Sequence, residues 1–172
     1  MTALSEAKKQ DLSNLEGKYL TFKLAGEDYG IGILKVKEII GMMPITPVPQ
    51  TAEFVKGVIN LRGKVIPIID LRLRFEMPEV EYSDRTCIIV VETKGREGMV
   101  LMGIVVDGVS EVVNIGSEQI EASPAFSAEF DTRYILGIAK FEDSVKILLD
   151  IDWVLDPQEM TSIKRMMSDP GD

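Results

Sequence analysis

The chain has 172 residues, 45% of them hydrophobic, and a formal net charge of -9, proportions typical of one ordinary globular domain or two small ones. It contains no histidine and one cysteine. These counts exclude a Ser-His-Asp triad, a Cys-His dyad and a zinc site of Cys and His ligands built from this chain alone. A single cysteine also excludes an internal disulfide, which fits a reducing cytoplasm.

The negative charge is concentrated in the second half of the chain. Residues 1–84 carry 11 Lys and Arg against 12 Asp and Glu, whereas residues 85–172 carry 8 against 16. Phosphate backbones would repel so acidic a chain, and we expect no nucleic-acid partner. The plainer interpretation of the asymmetry is a well-solvated acidic half; the alternative is two halves that present different faces to different partners.

The chain shows no targeting or membrane signal. Residues 1–16 are polar and lack the apolar core of a secretory signal, so we interpret them as a flexible leader. No segment approaches the ~20 apolar residues of a spanning helix. We therefore expect no direct insertion into a membrane.

Strand patterns dominate the first half. Lys18–Leu24 alternates apolar and polar residues, and a turn and a returning strand follow it. Gly57–Leu61 and Lys64–Ile69 are apolar runs separated only by Arg62-Gly63. Because glycine supplies the dihedral angles that a two-residue turn requires, this pattern predicts a tight hairpin.

The second half shows the same signals again. Arg85–Thr93 and Met99–Val106 are predicted strands, and Tyr134–Phe141 and Val145–Leu149 form a second predicted hairpin. Beyond Pro157, an apolar stripe predicts a C-terminal helix over 157–172.

Two ungapped overlays indicate an internal repeat. Gly30–Ile40 aligns with Gly103–Val113, and Gly57–Leu71 aligns with Gly137–Ile151, in the same order along the chain. Together they indicate two related β subdomains. Short, closely spaced strands favour small barrels, since closure removes exposed edges, and the junction of two barrels is a natural binding groove.

Asp70 and Asp150 each end an apolar strand at equivalent places in the repeat. Paired carboxylates suggest an enzyme that uses them for acid-base work or for Mg²⁺ binding. The plainer interpretation is that each caps the short segment after its strand. Loss of substrate turnover in an Asp70→Asn variant would support the hypothesis of a carboxylate-based enzyme.

Charged residues at predicted strand ends are candidates for partner contact. Arg62 lies at a hairpin tip, where its guanidinium is suited to carboxylate recognition; the alternative is a solvated turn arginine. The repeat places Glu142 at the equivalent tip. Glu38, flanked by apolar residues, is either a surface charge or the rim of a contact patch. Four apolar residues are core candidates when taken singly and groove-lining candidates when taken together: Ile33, Val36, Val105 and Val106.

Three motifs closely resemble the CheW family of bacterial chemotaxis coupling proteins: Tyr29–Ile39, Gly57–Arg72 and Gly103–Val112. The resemblance runs in order from about residue 17 to residue 156. It implies an all-β fold of two five-stranded SH3-like barrels around a groove. We place the first barrel at about 17–75, a linker at 76–84 and the second barrel at about 85–156. The C-terminal strands of the first barrel are candidates for exchange between the two barrels.

The resemblance also implies a non-enzymatic scaffold without metal or cofactor. Its implied partners are the regulatory domain of the histidine kinase CheA and the cytoplasmic tips of methyl-accepting chemoreceptors, at the inner face of the membrane. An SH3-like adaptor of another array, such as one controlling twitching or development, is the alternative. Carried over by position, the receptor-facing residues are Ile33, Val36, Arg62 and Val106, and the kinase-facing residues are Glu38, Lys56 and Gly57.

Overall fold

The computed structural model describes residues 15–95, 98–121, 134–155 and 159. The strands within them are β1 Gly17–Leu24, β2 Glu27–Gly32, β3 Val36–Gly41, β4 Val55–Leu61, β5 Lys64–Asp70, β6 Cys87–Gly95, β7 Gly98–Val106, β8 Gly108–Ile115, β9 Ile120–Glu121, β10 Ile135–Lys140 and β11 Val145–Leu149. A four-residue helix, α1 (Leu71–Arg74), follows β5, and a 3-10 turn, Ile151–Trp153, follows β11. Another 3-10 turn, Ile33–Lys35, joins β2 to β3, and a third, Ser117–Gln119, precedes β9.

The strands form two sheets. One has six strands in the order β8-β1-β2-β11-β10-β9, and the other has five in the order β3-β6-β7-β5-β4. The predicted all-β class with two β subdomains is confirmed, whereas the expectation of five strands in each is met by one sheet and exceeded by the other.

The two halves of the repeat exchange their first hairpins. The β1–β2 hairpin joins β8–β11 in the six-stranded sheet, and the β6–β7 hairpin joins β3–β5 in the five-stranded sheet. The predicted ranges 17–75 and 85–156 therefore cut across both sheets. The exchange depends on two parallel contacts, β2 with β11 and β5 with β7, which join segments far apart in sequence.

The parallel contacts occur at equivalent positions of the repeat. Gly30 pairs with Leu148, and Gly103 pairs with Ile68. A Cβ atom at Gly30 would lie 3.1 Å from Leu148 Cδ2, and one at Gly103 would lie 2.6 Å from Ile68 Cδ1. Glycine thus permits the close approach of strand to side chain at both contacts.

Each sheet closes on itself into a barrel. In the five-stranded sheet, Thr46, which follows β3, exchanges two backbone hydrogen bonds of 2.9 Å with Val58 on β4. In the six-stranded sheet, the two-residue strand β9, which follows β8, pairs with β10. We call the two subdomains the five-stranded barrel and the six-stranded barrel.

Apolar side chains form three clusters. One fills the five-stranded barrel and comprises Ile59, Ile66, Ile68, Ile88, Val90 and Val105. One fills the six-stranded barrel and comprises Tyr19, Ile115, Ile120, Ala139 and Leu148. The largest lies between the barrels and takes residues from both, among them Phe22, Ile31, Ile89 and Val106. Since strand residues alternate in direction, each strand can supply its own barrel and the shared cluster.

Three sequence predictions concern segments at the margins of the fold. The leader lies outside the described residues except for its last two, and the C-terminal helix lies outside them except for Glu159. The predicted linker 76–84 lies against the barrels, because Arg72 Nη1 donates to Pro78 O at 3.3 Å and Tyr82 Oη donates to Asp70 Oδ2 at 3.0 Å. Within the described parts of the chain, no helix is long and apolar enough to cross a membrane.

Candidate protein-binding site

The β4–β5 hairpin holds Arg62 in solvent. Leu61 pairs with Lys64, so Arg62 and Gly63 alone form the turn, with φ of 51° and 88°. Positive φ at both residues is the geometry of a type I′ hairpin, and Asn60 Oδ1 accepts the Gly63 amide at 2.8 Å. The predicted tight hairpin is confirmed, and the Arg62 side chain is 70% exposed.

Arg62 forms an ion pair with Glu38. The Arg62 guanidinium donates from Nη2 to Glu38 Oε1, although β4 and β3 are the two edge strands of the sheet. Barrel closure brings these edges together. Because Arg62 is so exposed, the pair contributes at most ~1 kcal/mol to stability. Its main effect is to fix the orientation of two charged groups at the surface.

The ion pair borders an open cleft at one end of the five-stranded barrel, with a volume of about 390 Å³. Its apolar lining comprises Leu61, Ile66, Val90 and Leu101, and its charged lining comprises Lys37, Glu38, Arg62, Lys64 and Glu92. Lys37 Nζ lies 3.4 Å from Glu92 Oε2 on the neighbouring strand. An apolar floor with a charged rim is the composition of a protein contact site.

The apolar candidates fall into two groups. Ile33 and Val36 are half-buried beside the cluster between the barrels, and Leu34 between them is 91% exposed. Val105 and Val106 are buried on β7, one inside the five-stranded barrel and the other between the barrels. The assignment of Val106 as a contact residue is therefore corrected: its side chain faces the opposite barrel and is 0% exposed.

Lys56 is already engaged within the protein. Its Nζ lies 2.9 Å from Glu79 Oε1 and 5.9 Å from the centre of the Tyr82 ring. Both partners belong to the 76–84 segment, which covers this side of the barrel.

Gly57 is required by the backbone geometry at the point where the five-stranded barrel closes. Its φ is +139°, and a Cβ atom there would lie 2.0 Å from Thr46 O, at the bridge that closes the barrel. Gly57 is buried, so its effect on any partner is exerted through barrel closure.

The two predicted carboxylates are caps. Asp70 Oδ1 accepts the Leu73 amide at 3.3 Å, and Asp150 Oδ1 accepts the Asp152 amide at 3.1 Å. Burial raises the pKa of Asp150, and burial together with the Asp70 charge raises the pKa of Tyr82. The capping interpretation is confirmed. Within the described residues no cluster of acidic, Cys or His side chains is arranged to hold a metal ion.

Sequence reasoning missed two carboxylates that join the barrels. Asp107 accepts from Arg72 at 2.9 and 2.6 Å, and Asp152 accepts from Lys35 at 2.9 Å. These partners are 35 and 117 residues apart in sequence, so no local pattern indicates them. Extending the second overlay by one residue aligns Arg72 with Asp152. This alignment of two charged residues is a sequence signal that could have drawn attention to both positions.

The geometry defines a class of protein. The five-stranded barrel carries a cleft with an apolar floor and a charged rim. Further apolar residues, Ile33 and Val36, lie beside the seam, by which we mean the line where the two barrels meet over their shared apolar cluster. Together these features define a protein-binding scaffold.

Comparison with known proteins identifies the family. The model of the CheW-like domain matches residues 18–159. The chain is 39% identical over 163 residues to chemotaxis protein CheW of Klebsiella aerogenes, covering 95% of this chain and 96% of that protein. It is 34% identical over 145 residues to chemotaxis protein CheW of Bacillus subtilis, covering 84% and 90%.

A solved structure agrees. The crystal structure of the scaffolding protein TtCheW from Thermoanaerobacter tengcongensis superposes with a TM-score of 0.75 at 38% identity, covering 85% of this chain and 98% of that one. The chain belongs to the CheW-like family and is a chemotaxis scaffold. The predicted SH3-like double-barrel fold and the family resemblance are confirmed.

Proposed function

We propose that this scaffold joins the histidine kinase CheA to the cytoplasmic tips of methyl-accepting chemoreceptors, in the cytoplasm at the inner face of the membrane. The observation that carries the proposal is the exposed Arg62–Glu38 ion pair on the rim of an apolar cleft. A rim that combines oriented charges with apolar surface favours selective docking of another protein.

Receptor contact is assigned to Ile33, Val36 and Arg62. Ile33 and Val36 lie beside the seam between the barrels, and the exposed Leu34 extends their apolar surface. A helical hairpin can lay an apolar stripe against such a surface, in the manner of helix-in-groove recognition. Arg62 then fixes the orientation of the helix through a carboxylate on the receptor.

Kinase contact is assigned to Glu38, Lys56 and Gly57. Glu38 supplies a charge next to the receptor set, since it is two residues from Val36 on β3. Lys56 reaches a partner only by leaving Glu79, and an exposed pair of this kind costs less than ~1 kcal/mol to break. Gly57 contributes by keeping the Thr46–Val58 closure intact.

The protein performs no chemistry in this proposal. By binding the receptor and CheA at adjacent surfaces, it fixes their relative geometry. A receptor signal then shifts CheA between inactive and active states, because the scaffold binds the two arrangements with different affinity.

The assignment of Arg62 is tested by charge exchange. Arg62→Glu places two carboxylates together and removes the guanidinium, so we expect affinity for a receptor signalling fragment to fall about tenfold, since one charged contact is worth ~1.5 kcal/mol. Co-sedimentation with the fragment measures it, and circular dichroism checks the fold.

The double variant Glu38→Arg with Arg62→Glu is the matched control, because it restores an ion pair with reversed polarity. If receptor binding stays weak in the double variant, the result supports a direct contact between the receptor and the positive charge of Arg62. Full recovery would assign the pair to internal structure, and unchanged affinity in the single variant would remove Arg62 from the contact surface.

A further inference from the structure

The Asp152 carboxylate joins three separate segments. It lies in the 3-10 turn after β11, its Oδ2 accepts from Lys35 Nζ at 2.9 Å, and its Oδ1 accepts from the Lys94 amide at 3.0 Å. Lys35 belongs to the turn between β2 and β3, and Lys94 lies near the end of β6. One side chain thus connects the six-stranded barrel, the five-stranded barrel and the segment that passes between them.

The Ile33–Lys35 turn has few anchors of its own. It contains no buried residue, and no side chain caps its first residue. Its middle residue, Leu34, projects into solvent. The turn is closed by the Val36 amide, which donates to Ile33 O. Ile33 and Val36 pack on the cluster between the barrels, and the Lys35–Asp152 pair, with side chains 31% and 21% exposed, adds a polar tether from the turn to the segment after β11.

We propose that Asp152 is a positioning residue for receptor recognition: it holds the Ile33–Lys35 turn, and with it Ile33 and Val36, against the seam between the barrels. This inference rests on the proposed function, because it takes Ile33 and Val36 as receptor contacts. In this proposal Asp152 makes no contact with the receptor and acts only through Lys35. A partly exposed pair suffices for this, since affinity depends on how well the contact surface is pre-organised.

The other side of the molecule provides a matched comparison. Asp107, between β7 and β8, accepts from Arg72 at 2.9 and 2.6 Å and from the Ala25 amide at 2.8 Å. It too joins the two barrels through a basic side chain and a hairpin amide. Its tethers hold the β1–β2 turn and α1, which carry none of the proposed contact residues. Asp107→Asn therefore removes an equivalent tether without loosening the Ile33–Lys35 turn.

The test compares Asp152→Asn with Asp107→Asn in the full chain. Asparagine keeps an acceptor for the hairpin amide in each case and removes the charge that holds the basic side chain. We expect Asp152→Asn to weaken co-sedimentation with a receptor signalling fragment about fivefold, with CheA affinity unchanged. We expect Asp107→Asn to lower the thermal midpoint at least as much and to leave receptor affinity unchanged.

Two further measurements separate positioning from general stability. Amide hydrogen exchange at Val36 should accelerate in Asp152→Asn and stay at the wild-type rate in Asp107→Asn. Lys35→Met, which keeps the aliphatic stem and leaves Asp152 intact, should reproduce the loss of receptor affinity. Equal losses of receptor affinity in the two Asp variants, or no loss in Asp152→Asn, would overturn the proposal.

Failure of the proposed function is distinguishable. If the wild-type chain does not bind the receptor fragment, the assignment of Ile33 and Val36 to receptors falls. Hydrogen exchange then decides the positioning claim alone: faster exchange at Val36 in Asp152→Asn upholds it, and an unchanged rate overturns it.

Discussion

The two hairpin tips of the repeat occupy equivalent positions but differ in backbone and in charge, because Arg62 and Gly63 have positive φ whereas Glu142 and Asp143 do not. At the β4–β5 tip, Arg62 pairs with Glu38 beside an apolar cleft. The overlays place Glu142 and Glu111 at the equivalent positions of the six-stranded barrel, and both are exposed carboxylates. Duplication has thus preserved strand pairing, glycine contacts and caps while the surface charge has diverged. The two similar barrels therefore present different charges at equivalent tips.

The largest expected effect on stability is at the glycines where the barrels close, Gly57 in one barrel and Gly137 in the other. Gly57→Ala should cost ~3 kcal/mol of unfolding free energy, because it forces positive φ on alanine and brings Cβ against Thr46 O. Gly137→Ala at the equivalent position should cost ~1 kcal/mol, since its Cβ would lie 2.9 Å from Glu121 O without a positive φ. Urea denaturation of the two variants measures the difference. Equal costs would show that the two closures are energetically the same.

An intermediate effect is expected at the Asp107 junction. Burial alone would raise the pKa of Asp107, but hydrogen bonds from Arg72 and the Ala25 amide outweigh burial and hold the pKa below its usual 3.8. A lowered pKa stabilises the fold at neutral pH, and this contribution is lost as the pH falls below about 3.8. Asp107→Asn should therefore cost ~2 kcal/mol at pH 7.

The pH dependence is the check on this assignment. Thermal melts of wild type and Asp107→Asn should differ most at pH 7 and converge toward pH 3. A gap that stays constant over this range would mean that the carboxylate charge contributes nothing and that the variant acts through packing alone.

The smallest effect is expected at the acidic tip. Glu142→Arg reverses the charge at the position equivalent to Arg62, and Glu111 on the same barrel is the position equivalent to Glu38. Since both positions are exposed, the free energy of unfolding should rise by less than ~0.5 kcal/mol, and receptor affinity should not change. Urea titration and co-sedimentation measure the two quantities. A loss of receptor binding as large as that of Arg62→Glu would place the six-stranded barrel at the receptor as well.

Local patterns predicted the local features of the fold. The Arg62-Gly63 dipeptide predicted its turn, and the position of Asp70 and Asp150 after apolar strands predicted two caps, because each depends on neighbouring residues. The overlays predicted two related subdomains. An exchange of C-terminal strands was allowed for, but the first hairpins exchange instead. Which strands exchange was beyond prediction, since it depends on which distant strands pair, as β2 does with β11.

The candidate site was predictable only in part. Arg62 and Glu38 were each identified from the sequence, but their contact requires a closed barrel, which no local pattern specifies. Val106 is a core candidate when taken alone, a groove candidate with its neighbours, and a receptor contact only by resemblance; the sequence does not say which face of its strand another barrel covers. Asp152 was missed because its partner Lys35 lies 117 residues away.

The most direct test of the coupling role is a three-component assay of CheA autophosphorylation, with receptor signalling fragments and with or without this protein. We predict a large rise in CheA activity only when all three components are present, because the scaffold holds receptor and kinase together. No rise, with CheA active alone and every component folded, would contradict the proposal that this chain couples receptors to the kinase.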